Sequence, residues 1–128
     1  MAVNRVKTRT ATIFSDENDI IHIIIHPEVR IDYEDAIDNA LVIKNLSKNK
    51  PSLKLLDMRA NFWMDKKAQK FADTKEIKQQ TIARAIIKGS MLNSLLVNFF
   101  IKLNKPETPT RIFTDHLEAY AWLLSLKN

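Results

Sequence analysis

Short apolar runs alternate with stretches of helical spacing along this chain. From about Ser52 the alternation becomes one repeated unit: a β-branched or leucine-rich run, a polar break, then an amphipathic segment. The clearest copy is Thr110-Arg-Ile-Phe-Thr114 followed by Asp115 to Leu126. Such a cadence predicts an α/β architecture, with any site at the strand-to-helix junctions. Ahead of it, Val6 to Phe14 and Ile20 to Ile25 read as two strands. The polar break Ser15-Asp-Glu-Asn-Asp19 between them suits an antiparallel hairpin. Pro27 ends the second strand. Asp32 is placed to cap a helix running to about Lys48, with Ala36, Ile37, Ala40, Leu41 and Ile43 on its inner face.

The rest of the chain follows in the same alternation. Leu53 to Met58 is a third strand, and its nearly continuous apolar run suits a sheet interior covered on both sides. Asp65 to about Gln79 reads as a second helix, Thr81 to Ile87 as a fourth strand, Ser90 to Leu103 as a third helix, Arg111 to Phe113 as a fifth strand and Asp115 to Leu126 as a last helix. The expected fold is therefore a mixed sheet of about five strands with four helices: a hairpin, then β-α repeats. The third helix stands out, because Met91, Leu92, Leu95, Leu96, Val97, Phe99, Phe100, Ile101 and Leu103 leave only a narrow polar stripe at Ser94, Asn98 and Lys102. A helix apolar on most sides must be covered on most sides. The covering is core, a second copy of the chain, or an apolar ligand or lipid surface. At about 14 residues the segment falls short of the ~20 needed to span a bilayer.

Composition narrows the class. A chain of 128 residues with 45% hydrophobic and 27% charged positions has the balance of one ordinary globular domain. Zero cysteines exclude disulfides, thiolate metal sites and cysteine nucleophiles and fit a reducing compartment. Met1 to Thr12 lacks the continuous apolar stretch of a signal peptide, so the cytoplasm is expected. The net charge of +5 raises nucleic acid as a partner, but its distribution speaks against it: Lys66, Lys67, Lys70, Lys75 and Lys78 are interleaved with Asp65, Asp73 and Glu76, as on a solvated helix face.

Candidate chemistry is sparse, and no cofactor, metal or catalytic constellation is expected. His22 and His26 look like a ligand pair, yet four residues of extended strand span roughly 13 Å, too far for one ion. Gly89, the only glycine, sits at the junction of the fourth strand and third helix. There it answers a positive φ or a close backbone approach, with Ser90 capping the helix; the sharper reading is an anion seat at that helix start. Arg59 and Asn61 follow the third strand and either line the same end of the sheet or are solvated. Asp115 with Glu118 has capping-box spacing. Trp63, within the loop Phe62-Trp63-Met64, is either an exposed partner contact or folded back over the sheet edge. Trp122 reads as core.

The stretches Ile82-Ala-Arg-Ala-Ile-Ile87, Asn98 to Asn104 and Arg111 to Asp115 with Glu118 to Leu123, together with the hairpin and the β-α order, resemble the SpoIIAA-like superfamily of STAS domains and SEC14-like lipid carriers, in particular its small bacterial STAS/SEC14-like proteins. The resemblance implies a SpoIIAA-like fold and a regulatory interaction module. STAS antagonists carry a phosphorylatable serine after an aspartate at the start of the helix following the central strand; here Asp65 matches the aspartate, and Lys66 stands in the serine's place. A switch that adds about two negative charges at that helix start cannot operate on lysine; Asp65 is expected to cap the helix instead. The expected role is thus non-catalytic, as a homodimer or with a protein partner, through Phe62, Trp63, Met64, Phe99, Phe100 and Leu103. A carrier or sensor of an apolar, lipid-like ligand is the alternative.

Overall fold

A computed structural model describes residues 4–90 and 94–127. In chain order the elements are β1 (Val6–Lys7), β2 (Ala11–Ser15), β3 (Ile20–Ile25), β4 (Val29–Ile31), α1 (Tyr33–Leu46), β5 (Ser52–Met58), β6 (Phe62–Met64), α2 (Lys66–Ala72), α3 (Lys75–Gln79), β7 (Thr81–Lys88), α4 (Ser94–Lys102), β8 (Thr110–Phe113) and α5 (His116–Ser125). Six strands form the main sheet in the order β1-β2-β3-β5-β7-β8; its first two pairings are antiparallel and the rest parallel. The hairpin, the β-α repeats and the mixed sheet are as the pattern predicts. The counts are higher, because two expected elements divide and two short strands, β4 and β6, add to them.

The divisions have local causes. The expected first strand breaks at Thr8–Thr10, where polar side chains reach α1 instead of continuing the ladder. Thr8 Oγ1 donates to Asn39 Oδ1 at 2.6 Å, Asn39 Nδ2 donates to Thr10 Oγ1 at 3.0 Å, and Arg9 pairs with Asp35. The expected helix over Asp65–Gln79 breaks at Asp73–Thr74, where the Thr74 hydroxyl donates to the Phe71 carbonyl at 2.8 Å and the chain turns before α3. Phe62-Trp63-Met64 is not a loop: it pairs in parallel with Val29-Arg30-Ile31 as a small second sheet, in the register Val29↔Phe62 to Ile31↔Met64.

Period-two alternation sorts the main sheet into two faces. Ile21, Ile23, Ile25, Met58 and Ile86 belong to the core that also takes Ala68 of α2 and Leu96 and Phe100 of α4, with Ala36 and Ile43 of α1 packed against it. Leu53, Leu55, Ala83, Ala85 and Ile87 form a second core with Phe113 and with Ala119 and Leu123 of α5. Trp122 is partly buried against that core, while Leu117 is exposed. Asp32 caps α1 as expected, in a reciprocal box: its carboxylate accepts from the Asp35 N–H at 2.9 Å, and Asp35 accepts from the Asp32 N–H at 3.0 Å. Leu41, expected on the inner face, points outward and is exposed.

The third predicted helix needs the largest correction. Leu96, Phe100 and Leu103 are buried, but Leu95 is 75% and Ile101 57% exposed, so one flank is covered and the other meets water. An apolar residue type marks what can be buried, not what is. The expected start of this helix at Ser90 involves residues 91–93, outside the described residues.

Candidate ligand-binding site

Between the sheet and the helices α1, α2 and α3 lies a cavity of about 120 Å³. Its walls follow from helical spacing. Ala36, Asn39, Ala40 and Ile43 fall at i, i+3, i+4 and i+7 on α1, and Ala68, Phe71 and Ala72 fall at i, i+3 and i+4 on α2; all of them line the cavity. The alanines create the space, since a larger side chain at those inward positions would fill it. From the sheet come Ile23 and Ile25 of β3 and Leu56 and Met58 of β5; Met64 and Ile77 close the sides. The lining is overwhelmingly apolar.

Two cations interrupt it. Lys54 of β5 and Arg84 of β7 are partners in the parallel register, both line the cavity, and they are only 6% and 4% exposed. Lys54 Nζ donates to Thr81 Oγ1 at 2.8 Å, and that hydroxyl donates its own proton to the Ile77 carbonyl at 2.7 Å. Arg84 Nη2 donates to the Ala72 carbonyl at 3.0 Å, at the C-terminal end of α2, where a cation is favoured. Burial, followed by the adjacent Arg84 charge, lowers the Lys54 pKa from 10.5 to about 7. Burial also lowers that of Arg84, against the attraction of Asp73. Lys54 thus interrupts the apolar run of Leu53–Met58. The available signal was one cation in each of two neighbouring central strands.

The strand-end residues meet only in part. Gly89 does not have a positive φ; it serves the close approach, because a Cβ there would lie 2.5 Å from the Arg59 carbonyl oxygen. Arg59 turns back on Asp57, with Nε and Nη2 donating to its carboxylate at 2.9 and 2.6 Å. Asn61 accepts from the Glu28 N–H through its backbone carbonyl at 2.7 Å, and its side chain reaches Glu28. Asp115 caps α5 by accepting from the Glu118 N–H at 3.1 Å. Ser90 is an exposed turn residue. Asp65 occupies the cap position of α2 without a side-chain capping bond; Arg30 claims its carboxylate at 3.1 Å. Lys66, where STAS antagonists carry serine, is the first residue of α2 and is exposed.

Arg59 and His116 border a more polar hollow of about 290 Å³ on the other face of the sheet, beside Phe14 and His22. His22 Nε2 lies 2.8 Å from Asp16, whose carboxylate also accepts from the Tyr120 hydroxyl at 2.6 Å. Burial alone would raise the Asp16 pKa; the bonds from Tyr120, His22 and the N–H groups of Asn18 and Ile20 outweigh it and hold the carboxyl below its usual range. The His26 ring lies 2.8 Å from Thr12 Oγ1. The two histidines thus serve separate networks, and among the described residues no cluster suited to a metal ion occurs.

The expected partner surface is largely turned inward. Phe62, Phe100 and Leu103 are 6%, 2% and 2% exposed and belong to the core, Met64 lines the cavity, and Phe99 is half-buried with its ring centroid 5.5 Å from that of Phe100. Trp63, 49% exposed, remains outside. Among the described residues no helix is long and apolar enough to cross a membrane.

Comparison with known proteins gives the fold independently. The chain is similar, over 95% of its length and 92% of the other, to the crystal structure of a protein from the DUF3478 family with a SpoIIAA-like fold, from Shewanella loihica PV-4, at 14% identity and a TM-score of 0.56. A likeness at that identity carries the fold and nothing finer. No curated protein matches. One family model, described as a domain of unknown function (DUF7793), matches residues 14–127.

Proposed function

The chain belongs to the DUF7793 family, and from its SpoIIAA-like fold and its cavity we propose that it is a cytoplasmic, non-catalytic binding protein for a small apolar ligand. The observation that carries this reading is the cavity itself: an alanine-walled space of about 120 Å³ between the sheet and three helices. An engineered apolar cavity of about 150 Å³ takes up benzene, so the volume here suits a body of roughly benzene size. This is the small-molecule form of the apolar-ligand alternative raised by the SEC14 resemblance. Toluene at ten times its dissociation constant should stabilise the fold by about 1.4 kcal/mol and raise the Tm by ~4 °C. In the Ala40→Leu variant, which fills the cavity, that response should vanish. Equal responses in both proteins, or none in the wild type, would refute the reading.

A second reading keeps the interaction module and moves its surface. Exposure of Leu95 and Ile101 on the outer side of α4 supports contact with a second copy of the chain. Sedimentation should then show a dimer that Ile101→Glu converts to a folded monomer; a wild-type monomer at all concentrations would end this reading.

A further inference from the structure

Resting on the ligand-binding reading above, we propose that the occupant is a small carboxylic acid, its apolar body against Ile23, Met58 and Ile77 and its carboxylate between Lys54 and Arg84. The charge balance of the site points to an anion. Lys54 and Arg84 stand side by side on neighbouring strands, nearly inaccessible to water, and among the described residues no carboxylate lines the cavity with them. The acid that acts on Arg84 is Asp73, which is half-exposed and already paired with Lys78 at 3.1 Å. Like charges buried together without a counter-charge are costly. An incoming anion offsets that cost.

The hydrogen-bonding inventory agrees. An ammonium has three donors; among the described residues, Lys54 Nζ has one acceptor, the Thr81 hydroxyl. Arg84 gives donors to the Ala72 carbonyl and to Thr110 Oγ1, and a guanidinium has five. Donors therefore remain on both groups, and a planar carboxylate matches a guanidinium edge. Such an arrangement selects by charge: the apolar walls accept any small hydrophobic body, and the cations discriminate an acid from its neutral analogue. Arg84 also secures the end of α2, so the seat is held by the fold before a ligand arrives.

Calorimetric titration of the full chain at pH 6, where Lys54 is protonated, with toluene, benzamide and benzoate tests the assignment. Benzoate should bind at least tenfold more tightly than benzamide, its neutral counterpart of nearly equal shape. Lys54→Met should cut that preference at least threefold, Arg84 remaining to hold the carboxylate, while toluene still binds. If toluene binds but benzoate is no tighter than benzamide, the anion seat is refuted and the apolar cavity stands. A benzoate preference undiminished in Lys54→Met would place the anion elsewhere and overturn the assignment. If none of the three binds, the ligand-binding reading itself has failed.

Discussion

Gly89 shows how a single residue type can be forced by a neighbour rather than by its own backbone. Its φ is not in the left-handed region; what it supplies is room, because the Arg59 backbone passes where a side chain would begin. Gly89→Ala should accordingly destabilise the fold by ~1–3 kcal/mol, the range for forced overpacking, read as a lower urea midpoint at unchanged m-value. An unaltered midpoint would mean that the two segments are not in contact. The sequence showed a solitary glycine at a strand end, and close approach was one of the two reasons read from it. The partner in that approach was not legible, because Arg59 is thirty residues away. Asp65 carries the same lesson: its position before α2 was readable, but its bond to Arg30 depends on β4 lying beside β6.

At the scale of elements, periodicity located nearly every strand and helix and missed those too short to have a period. β4 and β6 are three residues each, which leaves no alternation to count. α4 departs from its pattern for the opposite reason: its composition is apolar almost all round, yet among the described residues only Leu96 and Phe100 of α4, with Leu103 just beyond it, are buried. β5 was read as an apolar strand although Lys54 lies inside it, and that residue gives the element a pH dependence. Its pKa is about 7 in the folded protein against 10.5 ordinarily, so between those values the unfolded chain holds the extra proton and stability rises with pH, by at most ~1.4 kcal/mol per pH unit. Below about pH 7 both states are protonated and the contribution is flat. Urea unfolding at pH 7 and pH 9 should show the wild type gaining up to ~2.3 kcal/mol, with Lys54→Met lacking this gain. The same slope in both proteins would show that Lys54 is not desolvated.

For the whole molecule, the sheet order β1-β2-β3-β5-β7-β8 puts α1 to α4 on one face and α5 on the other. The cavity arises where α1 and α2 present alanines to the centre of that sheet. Each alanine was visible in the sequence as part of an inner helix face, but a cavity is a property of two faces meeting, and neither face alone announces it. The fold class could therefore be read in advance, whereas the site could not. The most direct test is methyl NMR during a toluene titration. The account predicts saturable shifts of the Ile23, Met58 and Met64 methyls, which line the cavity, with the exposed Ile101 methyls unmoved; shifts confined to Ile101 and its α4 neighbours, with the cavity methyls silent, would contradict it.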